Sequence, residues 1–168
     1  LTQQYTDSIT IGYNGVCNFY KNGTLFYGFE GNASLVKTTE LQFASAALLS
    51  LNQLSYIQSI SYNGTSNTFY AFNNNNYELY AGSEGGTFSL LTDFSAYNYP
   101  NSVVYYGNDE FLAIYSGSLC KIKISPTFKI TESYQLNNYS IYSVSTNGTD
   151  VWAKVYNNNS NNYEFLKL

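Results

Sequence analysis

Four stretches of this 168-residue chain repeat one pattern: small polar, β-branched, variable, Tyr, Asn, Gly. They read Thr-Ile-Gly-Tyr-Asn-Gly (10–15), Ser-Ile-Ser-Tyr-Asn-Gly (59–64), Ser-Val-Val-Tyr-Tyr-Gly (102–107) and Ser-Val-Ser-Thr-Asn-Gly (143–148). Anchored on Gly15, Gly64, Gly107 and Gly148, the steps are 49, 43 and 41 residues. Ile11, Ile60, Val103 and Val144 stand four places before the glycines, and Tyr13, Tyr62, Tyr105 and Thr146 two places before. Alternation with period two marks each stretch as a strand with one buried face. Asn-Gly, which follows three of them, accepts positive φ at both residues and signals a tight hairpin.

The same succession follows each anchor. A second strand is expected at Cys17–Tyr20, Phe69–Phe72, Phe111–Tyr115 and Val151–Tyr156, with Ala71, Ala113 and Ala153 in register. A third follows at Leu25–Phe29, Tyr77–Ala81, Leu119–Ile124 and Tyr163–Leu168, and a fourth at Ser34–Thr38, Thr87–Thr92 and Thr127–Thr131. Four short strands repeated every 40–45 residues or so are the mark of β-propeller blades. The expected fold is therefore all-β, a four-bladed β-propeller forming one domain over 1–168. Its repeats run over about 7–40, 56–94, 101–134 and 140–168 plus 1–6. Leu1-Thr2-Gln3-Gln4 aligns with the ends of fourth strands at Leu91-Thr92 and Ile130-Thr131, so an N-terminal strand closing the C-terminal blade is expected. The alternative is that these blades are part of a larger propeller. The Ala/Leu-rich segment Glu40–Leu54 interrupts the pattern and reads as a short helix or a loop packed over one ring face.

The tract Ile60-Ser61-Tyr62-Asn63-Gly64, Thr68–Phe72, Glu78-Leu79-Tyr80 and Gly86–Thr92 resembles the Tyr-Asn-Gly propeller repeats of thermoacidophilic archaea. Such repeats occur in secreted or surface proteins of those organisms and in proteins of their viruses. The resemblance implies an extracellular setting, on a virion surface or cell envelope. It carries over no catalytic residue, because the repeat contains only structural positions.

Composition narrows the chemistry. The chain has no His and no Arg, 7 Lys and a net charge of −4. This excludes imidazole general bases, His-ligated metals and a phosphate-tracking nucleic-acid binder. No apolar run approaches the roughly 20 residues of a membrane-spanning helix. Charged residues are 11% of the chain, against about 25% in an ordinary soluble domain. Protonating every carboxylate leaves only the seven lysines charged, which suits an acidic medium. A chain opening at Leu1 with no Met is expected either to have lost a signal peptide or to be an excised piece of something longer. Asn-x-Ser/Thr triplets at Asn22, Asn32, Asn63, Asn138, Asn147 and Asn158 are glycosylation candidates, although composition alone supplies about four or five such triplets. Cys17 and Cys120 either bridge or stand apart as buried thiols. A ring with these residues on opposite blades favours separate thiols.

Asp109-Glu110 is the only adjacent carboxylate pair. Neighbouring strand residues point to opposite faces, which is a poor arrangement for acid–base cooperation. Tyrosine is the larger surplus, with 19 residues. Tyr13, Tyr62 and Tyr105 recur periodically and read as packing between blades. Tyr97 and Tyr99, in a loop that breaks the repeat, and Trp152 on a second strand are the candidate ligand- or partner-binding residues. No catalytic residue, cofactor or metal is expected. The reading is a non-enzymatic structural or adhesion module that binds coat subunits, or a glycan or protein of the host surface, through propeller loops. An oligomeric assembly is compatible with it. A secreted carbohydrate-binding lectin is the alternative, and a secreted hydrolase the third.

Overall fold

The computed structural model describes residues 57–83, 86–146 and 150–168 in full, together with the strands at 16–22, 25–30, 34–38 and 47–50. Every regular element among them is a β-strand. The first sheet holds β1 (Val16–Asn22), β2 (Leu25–Glu30), β3 (Ser34–Thr38) and β4 (Ala47–Ser50). The second holds β5 (Ile57–Asn63), β6 (Thr68–Asn73), β7 (Glu78–Gly82) and β8 (Ser89–Asp93). The third holds β9 (Val103–Gly107), β10 (Glu110–Tyr115), β11 (Ser118–Lys123) and β12 (Lys129–Tyr134). The fourth has three strands, β13 (Tyr139–Thr146), β14 (Val151–Asn157) and β15 (Asn162–Lys167). All are antiparallel meanders in chain order.

The repeat register matches the strand pairing. Ile60 faces Ala71, Val103 faces Ala113 and Val144 faces Ala153. All three alanines are fully buried, and their small size lets the neighbouring sheet approach. Turn chemistry explains the asparagine surplus. The Oδ1 atoms of Asn63, Asn73 and Asn157 each accept backbone N–H groups two and three residues on, closing four-residue turns. The last turn residue, Asn67, Tyr77 or Asn161, is left-handed in each case. Two-residue hairpins at Asn108-Asp109 and Ser116-Gly117 have positive φ at both positions, the form that matches strand twist.

Sheets stack face to face. Phe72 and Leu79 of the second pack on Val103, Phe111, Ala113, Cys120 and Ile122 of the third. The opposite face of the third sheet, through Val104, Leu112, Ile114 and Leu119, packs on Ile141, Val144, Ala153 and Val155 of the fourth. The first sheet packs on the second through β1 and β5. Among the described residues no comparable packing joins the fourth sheet to the first. The N-terminal strand expected at 1–6 lies outside the described residues, as does the repeat at 10–15.

Two expectations need correction. Glu40–Leu54 is not a helix where it is described, since β4 occupies Ala47–Ser50 and pairs with β3. Cross-strand pairing overrides the helical preference of Ala and Leu there. Cys17–Tyr20 belongs to the strand that opens the described first sheet, and β1 joins β2 at Asn22 and Leu25. Asn22 therefore ends the first described strand of its sheet, as Asn63 does, and the strand expected at 10–15 lies outside the described residues.

Candidate functional site

The segment between β8 and β9 is the longest irregular connection between the fully described sheets, and it is held at both ends. Asp93 Oδ1 accepts the Ser95 N–H at 2.7 Å, a bond that holds the Asp93 carboxyl below its ordinary range. The Phe94 N–H donates to the Tyr77 carbonyl at 2.8 Å, and the Phe94 ring is fully buried. The Tyr97 N–H then donates back to the Phe94 carbonyl at 2.8 Å, closing a turn. Asn98 and Tyr99 are both left-handed, with φ of 63° and 49°, and reverse the chain. Pro100 is buried, and the Asn101 N–H docks on the Ile114 carbonyl at 2.8 Å.

The two exposed rings are braced from below. Tyr97, 38% exposed, stacks on Phe128 with centroids 4.1 Å apart. Tyr99, 53% exposed, tilts over Tyr77 at 4.7 Å. Phe128 in turn meets the edge of Phe94 at 6.0 Å. The surface thus has two aromatic faces fixed by other rings, beside the exposed Asn98 and Asn101 amides. Ring faces with adjacent amides can stack on apolar C–H surface and bond hydroxyl or peptide groups, at small entropic cost because the rings are already ordered.

Trp152 is exposed, as expected of a contact residue, but the structure does not bring it to this loop. It sits on β14 in the fourth sheet, on the face turned away from the third. Tyr62 and Tyr105 are packing residues. Tyr62 lies 4.6 Å from Phe69, and Tyr105 stacks on Tyr70 at 5.0 Å across the second and third sheets. Tyr13 lies outside the described residues.

Asp109 occupies a hairpin turn, and Glu110 is drawn to Lys123 at 3.7 Å and Lys121 at 4.0 Å. Among the described residues, every tyrosine with a displaced pKa moves upward, away from neutrality. Burial does this to Tyr70 and Tyr115. Burial, then the hydrogen bond to Glu78, pushes Tyr80 up to about 12, and the bond to Glu132 raises Tyr134. Among the described residues no group of three or more His, Cys, Asp or Glu side chains could hold a metal ion. No helix there is long and apolar enough to cross a membrane. Of the acceptor asparagines, Asn138 and Asn158 are exposed in turns, with the Asn158 N–H on the Asn138 carbonyl at 2.8 Å. Asn63 is half-buried and uses its side-chain oxygen to cap its own turn. Asn22 ends β1, and Asn32 and Asn147 lie outside the described residues. Cys120 is a buried free thiol.

Sequence reasoning missed a second aromatic surface, on the outer face of the fourth sheet. Tyr163 meets Tyr142 edge-on at 5.5 Å and Tyr156 at 5.2 Å, and Phe165 projects beside them, 74% exposed. The signal was present: alternation in Asn-Tyr-Glu-Phe-Leu-Lys (162–167) puts Tyr163, Phe165 and Lys167 on one face and Leu166 on the other.

No protein-family profile matches the chain, and no curated protein sequence does. Solved structures do. Virginiamycin B lyase from Staphylococcus aureus is 13% identical with a TM-score of 0.53, over 89% of this chain and 54% of the lyase. A chain of the nidogen/laminin complex is 9% identical with a TM-score of 0.57, over 86% of this chain and 59% of that one. The computationally designed Ika4 protein is 7% identical with a TM-score of 0.54, over 96% of each chain. This chain therefore spans little more than half the length of the first two. At such identities the likeness is one of architecture, and the fold it shows is that of β-propeller blades.

Proposed function

We propose that this chain is a non-catalytic, extracellular propeller module, structural or adhesive, on the virion or cell envelope of a thermoacidophilic archaeon. It holds a coat subunit or a host-surface ligand through its loops. The observation that carries the reading is the braced pair Tyr97 and Tyr99, two exposed rings ordered by Phe128 and Tyr77. Exposed aromatics fixed before binding are what partner surfaces concentrate. The extracellular archaeal setting is supported by the Tyr-Asn-Gly repeats and by the scarcity of charge.

A lectin is the second reading, favoured by the Asn98 and Asn101 amides beside the same rings. Screening the purified chain on a broad array of simple and complex glycans separates the two. Strong binding of free sugars, lost in Tyr97→Ser/Tyr99→Ser, identifies a lectin. Silence on the array, with binding to isolated cell envelopes or virions, supports the structural or adhesive module.

A further inference from the structure

Asn63, Asn138 and Asn158 each head an Asn-x-Ser/Thr triplet, and they differ in what the side chain already does. Asn63 is the cap of its own turn. Its Oδ1 accepts the Thr65 N–H at 3.0 Å and the Ser66 N–H at 3.4 Å, which folds the half-buried side chain back over the turn. The turn between β14 and β15 has the same design, but there the cap is Asn157. Its Oδ1 accepts the Asn159 N–H at 3.0 Å and the Ser160 N–H at 3.3 Å. The triplet Asn158-Asn159-Ser160 begins one residue after the cap, so its acceptor stands at the exposed tip. Asn138 is exposed as well, and among the described residues neither the Asn138 nor the Asn158 side chain makes a hydrogen bond. The two residues meet through the backbone, where the Asn158 N–H donates to the Asn138 carbonyl at 2.8 Å.

We infer that Asn138 and Asn158 form one N-glycosylated patch and that Asn63 carries no glycan, an inference that rests on the extracellular setting proposed for the chain. The co-reactant is an oligosaccharide carried on a lipid-linked phosphate. Transfer joins the asparagine Nδ2 to C1 of the first sugar. The C1–O bond to phosphate breaks, the phosphate leaves with the electron pair, and the amide gives up one proton. A glycan is then retained in the folded chain only where Nδ2 meets solvent. Exposure at these two acceptors does not depend on what lies beyond the fourth sheet. The β6–β7 turn is the counterpart of the β14–β15 turn in a sheet packed on both faces, and its tip residues Asn75 and Asn76 are exposed. Asn138 lies in the β12–β13 connection, the counterpart of the β8–β9 connection, where residues 95–99 are exposed between two stacked sheets. Sugar hydroxyls also hydrate a surface without titrating, in keeping with a chain in which only 11% of residues are charged.

To test this, the chain is secreted behind an added signal peptide from a host that transfers N-linked oligosaccharide, and is recovered folded from the medium. Intact mass and glycopeptide mapping read each acceptor, with a resident glycoprotein of the same medium as the control for transfer. The expected result is sugar on Asn138 and Asn158 and a bare Asn63. Ser140→Ala and Ser160→Ala remove the triplet hydroxyls and keep both asparagines, including the left-handed Asn138. Each variant should lose all sugar at its own acceptor and keep it at the other, with unchanged far-ultraviolet circular dichroism. A secreted chain bare at both Asn138 and Asn158 overturns the inference, and so does a glycan on Asn63. Sugar at only one of the two acceptors overturns the patch. Because secretion is imposed, a bare chain counts against the acceptors alone, whereas the extracellular setting stands or falls on binding to isolated envelopes or virions.

Discussion

Ser59 Oγ donates to the carbonyl of Val103 at 2.7 Å, joining the inner strands of the second and third sheets through a fully enclosed bond. Two residues on, Ser61 Oγ accepts the Tyr105 N–H at 2.7 Å. β9 thus gains side-chain partners from the blade before it, in place of the backbone pairing that an inner edge lacks. The serine recurring five places before the glycine anchor has a physical reason at Ser59: blades are linked there by hydroxyls as well as by apolar packing.

Ser59→Ala removes that donor from a buried site. The expected loss is about 1–2 kcal/mol of unfolding free energy. Urea titration measures it, and an unchanged midpoint would mean that the bond contributes nothing.

Gly82 closes β7 under the ring of buried Phe88. A Cβ there would stand 2.5 Å from Phe88 Cδ2 and 2.7 Å from its Cγ, close to the root of the side chain. Gly82→Ala should displace Phe88 and cost about 1–3 kcal/mol. The same urea titration tests this, and tolerance would show that the ring has room to retreat.

Acid should weaken the fold gently. The Asp93 carboxyl is held low by the Ser95 N–H, and Glu132 by Tyr134 and then Lys121. A depressed folded-state pKa gives stabilisation that is complete above the unfolded value, near 4 for a carboxylate, and is lost as pH falls through the folded value. The thermal midpoint is therefore flat from neutrality to about pH 5 and declines below about pH 4, and Asp93→Asn flattens part of that decline. Because full protonation leaves only seven charges, no cooperative acid collapse is expected. An abrupt loss of structure at pH 3 would contradict this.

Cys120 is buried, with its Sγ 3.5 Å from Ser133 Oγ. Alkylating reagents should leave it unmodified in the native protein and label it quickly in denaturant. Peptide mass mapping reads the outcome. Rapid native labelling would show that the second and third sheets separate readily.

The register of the last three sheets was legible because period-two alternation and a fixed alanine mark one face of each strand. The first sheet was not, since Asn14-Gly15 and Asn22-Gly23 are equivalent turn signals eight residues apart and local pattern does not choose between them. Strand β4 was hidden because Ala47, Leu48 and Leu49 suit a helix as well as a strand, and only pairing with β3 decides. At the candidate site, Tyr97 and Tyr99 stood out as breaks in the repeat. Their braces did not, because Tyr77 and Phe128 come from other turns and are brought together only by the stacking of sheets. Phe165 falls in the expected third strand Tyr163–Leu168, and no local pattern reports its exposure.

The central claim, that the braced Tyr97–Tyr99 loop is the partner-binding element, is tested most directly by co-sedimentation with isolated cell envelopes of a thermoacidophilic archaeon. Native chain and Tyr97→Ser/Tyr99→Ser are compared at matched thermal midpoints. The account predicts saturable binding by the native chain and a loss of roughly tenfold or more in affinity for the double variant. Equal binding by both, or no binding by the native chain, would contradict it.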